Sequence, residues 1–145
     1  MKRKTFMVLT TLVLVVLCIR AQASDSNLTP PPGDLLRKQV LDALRNEVKR
    51  LHGLDVVFVV KHLRVRNGWA WAQTLPQSQD GLNRYEDISA LMRLKDGEWE
   101  VLEIPCSEVE NPECLNGPEY FKGLQERYST VDVEIFPDRA RAFLP

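Results

Sequence analysis

Histidine and cysteine are scarce in this chain, with two of the former and three of the latter in 145 residues. There is no G-x-S-x-G, no H-E-x-x-H, no phosphate-binding glycine loop and no dinucleotide fingerprint. Those absences take the common nucleophile, zinc-hydrolase and nucleotide chemistries out of the first rank. Neither histidine has company. His52 stands at the end of a helical pattern, where its charge complements the helix dipole. His62 lies in a strand-like run beside Arg64, the setting of a structural histidine more often than a catalytic one. Carboxylates crowd from Glu98 to Glu113, yet the 107–113 stretch lacks the EF-hand pattern. No metal set and no cofactor are expected, and an enzyme is the weaker of the function classes.

Runs of three consecutive positive charges are missing from all but one end, and the basic face of the helical pattern after residue 34 (Arg37, Lys38, Arg45, Lys49 and Arg50) reads as a solvated face. The chain opens MKRKTFMVLTTLVLVVLCIRAQAS, in which Lys2, Arg3 and Lys4 precede an apolar run from Phe6 to Ile19 and an Ala21-Gln22-Ala23 triplet. These are the three parts of a secretory signal peptide, 1–23, and the apolar run is too short to span a bilayer. Leu17 before Cys18 is not the small residue that a lipobox places there. Cleavage after Ala23 leaves 122 of the 145 residues and, with four positive charges lost, moves the net charge from −1 to −5. A domain of that sign has no reason to seek phosphate backbones. The expected address is periplasmic or secreted, with no stable membrane insertion after cleavage and no nucleic-acid partner.

Two cysteines survive cleavage. Export and the even count make a Cys106–Cys114 disulfide the default, worth roughly 2–3 kcal/mol for so short a loop.

The mature chain begins with SDSNLTPPPG, 24–33, a polar and proline-rich linker. From 34 to 145 the sequence reads as one domain. Asp34 can cap a helix in which Leu36, Val40, Leu41, Leu44, Val48 and Leu51 form one apolar stripe, and Gly53 stops it. VVFVVKHLRVR and WAWAQTL then flank Asn67-Gly68, the strongest short hairpin signal. A second hairpin joins DISALMRLK to EWEVLEI through Asp96-Gly97. Pro118 opens a short C-terminal helix to about Tyr128, and Val131 to Phe136 is a candidate edge strand. The expected class is α+β, with one long N-terminal helix packed on a curled four-stranded antiparallel sheet of two hairpins.

A two-residue turn fixes register, so Arg66 opposes Trp69, Arg64 opposes Trp71 and His62 opposes Gln73. Leu63, Val65, Ala70 and Ala72 then share one face, where the small alanines suit a close helix. His62, Arg64, Arg66, Trp69, Trp71 and Gln73 share the other. In the second hairpin Ile88, Ala90, Met92, Leu94, Trp99 and Val101 make an apolar face, with Leu91, Leu102 and Ile104 opposite beside Arg93–Glu100 and Lys95–Glu98 pairs.

Two readings of the Trp/Arg face are open. In one, arginines lie on the indoles and the patch is structural. In the other, His62, Arg64, Arg66, Trp69 and Trp71 form a binding surface for a partner protein or a small ligand. If the tail from Val131 covers this face with Phe136 and Phe143, Trp71 is buried and Trp69, at the turn, stays partly exposed.

The order helix, hairpin, hairpin resembles the cystatin-like and NTF2-like α+β architecture. The pattern "FVV..LRV..GWAWAQ" followed by "ALMRLKDGEWEVLEI" is similar to small exported bacterial proteins of unknown function, over roughly residues 34 to 105. The resemblance implies a non-catalytic exported binding module, or alternatively an NTF2-like small-molecule pocket or enzyme centred on His62 and lined by Arg64 and Trp71. No acidic partner for His62 is evident, and the Q-x-V-x-G loop of cystatin inhibitors is absent.

Overall fold

The computed structural model describes residues 28–105 and 118–144. The signal segment, both mature-chain cysteines and the 107–113 stretch lie outside them. The first described element is an 18-residue helix, α1 (Leu35–His52). Asp34 caps it by accepting from the backbone N–H of Leu36 at 2.7 Å, and Gly53 ends it in the left-handed region at φ 70°. Val40, Leu41, Leu44 and Val48 are buried, as the apolar stripe requires. Leu51 departs from that stripe: it is 48% exposed, one residue from the end of the helix.

Four strands follow, β1 (Val57–Arg66), β2 (Trp69–Gln77), β3 (Ile88–Lys95) and β4 (Glu98–Glu103). They form one antiparallel meander in the order β1-β2-β3-β4. Asn67 and Gly68 take positive φ of 50° and 76°, and Arg66 pairs with Trp69 as the tight turn demands. Beyond Gln73 the register shifts between Val60 and His62.

A second irregularity changes one expected face. Leu91 pairs with Glu103 while Met92 pairs with Val101, so Leu102 is the extra residue of a bulge. One inserted residue reverses the alternation beyond it. Ile104 therefore joins the helix-side core rather than sharing the opposite face with Leu91 and Leu102. Glu103 moves to the opposite face in its place and accepts from Arg127 and Tyr120.

The sheet is buried on both faces. On one, α1 packs on Leu63, Ala70, Ala72, Ala90 and Met92, with Val65, Trp99 and Val101 half-buried around them. On the other lies α2 (Pro118–Arg127), followed by a 3-10 turn at Val133–Ile135 and the short α3 (Asp138–Arg141). Phe121, Leu124, Ile135 and Phe136 bring the second core to Trp69, Trp71 and Leu91. The stretch from Val131 to Phe136, expected to add an edge strand, forms that turn instead. Asp132 caps it by accepting from the N–H of Glu134, and the turn sends Ile135 and Phe136 into the core, both fully buried.

The alanines sit under α1 as their size suggests. Ala72 is fully buried and pairs with Leu63 and Ala90. Ala72→Leu is expected to overpack this interface and cost about 1–3 kcal/mol in chemical denaturation. An unchanged midpoint would contradict the packing described.

Candidate functional site

The five residues that the hairpin register gathers on one face, His62, Arg64, Arg66, Trp69 and Trp71, are brought together by β1 and β2. They do not form an open surface. Trp71 is 0% exposed and lies edge-on to Phe121 and Phe136, with ring centroids 5.4 and 5.5 Å away. Trp69, expected to stay partly exposed, is 5% exposed. The reason is α2: Tyr128, just past its end, brings its ring to 5.9 Å from that of Trp69. The cation over Trp69 is Arg93 of the neighbouring strand, at 5.8 Å, rather than Arg64 or Arg66.

The cationic members hold the C-terminal segment. Arg64 donates to the carbonyls of Glu134 and Phe136 at 3.2 and 3.4 Å and pairs with Asp138 at 3.1 Å. Arg66 pairs with Asp132 at 3.1 Å, and Asn67 donates to the same carboxylate at 2.7 Å. His62 Nε2 lies 2.9 Å from the carbonyl oxygen of Ile135. A carbonyl only accepts, so Nε2 carries the proton. Ile135 and Phe136 pack against this part of the face, beside His62 and Trp71.

Two clefts among the described residues lie on the helix side of the sheet. A cleft of about 490 Å³ opens where α1 ends, with Val48, Leu51, Leu54, Pro76, Ile88 and Ile104 as its apolar lining. His52, Tyr85, Glu86 and Asp87 supply the polar groups of the rim. A second cleft, of about 640 Å³, runs between α1 and the edge strand β4 and is far more polar. Its helix wall is Gln39, Asp42, Ala43, Asn46, Glu47 and Arg50, and Trp99 and Val101 stand opposite. Neither cleft is lined by a residue of the Trp/Arg face. The hints of them in the sequence are slight: Leu51 falls at the last turn of its stripe, and small Ala43 faces an edge strand that bears a tryptophan.

Among the described residues no group of three or more His, Cys, Asp or Glu side chains is placed to hold a metal ion. No helix there is long and apolar enough to cross a membrane. No protein-family model, curated protein or solved structure matches the chain.

The electrostatics of His62 make the closure of the Trp/Arg face pH-sensitive. Burial pushes its pKa below the ordinary 6.5, and Arg64 and Arg141 push the same way, against the Ile135 carbonyl and Asp138. The folded protein thus favours neutral imidazole more than the unfolded chain does. This contribution to stability is complete above about pH 6.5 and is lost as pH falls through the depressed folded value. His62→Gln keeps an N–H for the carbonyl but does not titrate. The wild type is expected to lose more stability than this variant between pH 7.5 and pH 5 in parallel urea titrations. Equal losses would contradict the assignment.

Proposed function

We propose that this chain is an exported, non-catalytic binding module, periplasmic or secreted, that receives the apolar part of a small ligand or partner in the cleft at the end of α1. The observation that carries this reading is the contrast between the two sides of the sheet. One side is closed by the chain's own C-terminal segment. On the other, the described residues form a cleft at the seam between α1 and the sheet, with an apolar floor and a polar rim that can orient a bound group. The order of one helix and then a four-stranded meander supports a cystatin-like or NTF2-like arrangement. The n-region, apolar run and Ala21-Gln22-Ala23 of the first 23 residues support export.

Leu51 is the natural probe, because it lines the cleft and its side chain is already half in water. The processed protein, beginning at Ser24, is expected to take up the neutral dye Nile red with saturation. Leu51→Glu should weaken that uptake by about tenfold while moving stability by no more than about 0.5 kcal/mol. Uptake unaffected by Leu51→Glu, or an unprocessed N-terminus on exported material, would overturn the proposal.

A further inference from the structure

The polar cleft between α1 and β4 has a composition of its own. One wall is a single side of α1, made of Gln39, Asp42, Asn46, Glu47 and Arg50 and interrupted by Ala43. The small alanine leaves room where a larger side chain would fill the seam. Across from it stands Trp99, half-buried, which pairs with Leu94 at the start of the edge strand.

Three of the four carboxylates that line this cleft are already paired. Asp42 accepts from Lys38 and Arg45, both at 2.5 Å, and the Lys38 hydrogen bond leads the effects that hold its carboxyl below the usual range. Glu47 is held down in the same way by Arg50, whose Nε and Nη2 donate to its two oxygens. Glu100 is bound by Arg93 at 2.6 Å. Glu98 makes no ion pair among the described residues; with it, the lining carboxylates number four, against four cations counted from Arg50 in the lining and from Lys38, Arg45 and Arg93 just outside it. A ligand with net charge of either sign finds little to complement.

Uncharged hydrogen-bonding groups remain. The side-chain amides of Gln39 and Asn46 make no hydrogen bond among the described residues. The Nε1–H of Trp99 has no acceptor among the described residues but is closed off from solvent, so what Trp99 offers a ligand is its ring rather than this group. An indole face carries negative charge, which suits the weakly positive C–H groups on one side of a pyranose ring. Amides both donate and accept, which matches hydroxyl groups that do the same.

From this set we infer that the α1–β4 cleft binds a neutral saccharide, its ring laid on Trp99 and its hydroxyls held by Asn46 and Gln39. The site is separate from the apolar cleft at the end of α1, and the two stand or fall independently.

The test follows the three indole N–H signals in a ¹⁵N spectrum of the processed protein during titration with cellotriose, maltotriose, chitotriose and galactotriose. At least one sugar should shift the Trp99 signal with saturation, leaving those of Trp69 and Trp71 in place. Asn46→Ala and Gln39→Ala, both on the exposed side of α1, should each weaken that sugar by about tenfold with the melting midpoint unchanged. Ala43→Leu, which fills the seam, should abolish the shift. The inference is overturned if no sugar moves the Trp99 signal at millimolar concentration, or if the shift survives both Asn46→Ala and Ala43→Leu. It is equally overturned if choline, a cation that also binds indole faces, shifts the signal and no sugar does.

Discussion

Asn67 and Gly68 hold positive φ in a two-residue turn, and the pairing of Arg66 with Trp69 follows from that geometry. Every residue of β1 and β2 near the turn is thereby assigned to a face. A slip of one position would place Trp69 and Trp71 under α1 and turn Ala70 and Ala72 toward the C-terminal segment. Neither arrangement would pack. The indoles would hold the helix off the sheet, and the alanines would leave Phe121 and Phe136 over a void.

With the register set, the two faces call for different covers. The face of small side chains admits the regular, close surface of α1. The face of large ones is filled by an irregular segment, in which Asp132 and Pro137 shape the chain so that Ile135 and Phe136 point inward. That segment has few backbone partners in the sheet, and side chains of the sheet serve its carbonyls instead: His62 for Ile135, Arg64 for Glu134 and Phe136. The polar residues that make the face look like a binding surface satisfy backbone groups that would otherwise be buried unpaired.

Much of this was legible in the residues. Local signals with one physical meaning carried through, among them the Asp34 cap, the Gly53 stop, both Asx-Gly turns and the alternation of the strands next to those turns. What failed depended on contacts distant in sequence. The bulge at Leu102 leaves no mark of its own in EWEVLEI, yet it moves Ile104 to the other core. The run Val131 to Phe136 is rich in β-branched residues, but its place in the fold is set by Trp71 and Arg64 rather than by propensity. Trp69 was expected at the rim because it adjoins the turn, and only the position of Tyr128 shows that it is covered. The clefts were hidden for a related reason: an opening between two elements is a property of neither sequence alone.

The central claim is that the Trp/Arg face is a second core, closed by the chain's own C-terminal segment. Acrylamide quenching of two variants tests it directly, one retaining only Trp69 and the other only Trp71, with the other tryptophans replaced by phenylalanine. Both indoles are expected to be protected to the same low level of quenching. A Trp69 quenched several-fold more than Trp71 would show that the face is open at the turn, and would contradict the account.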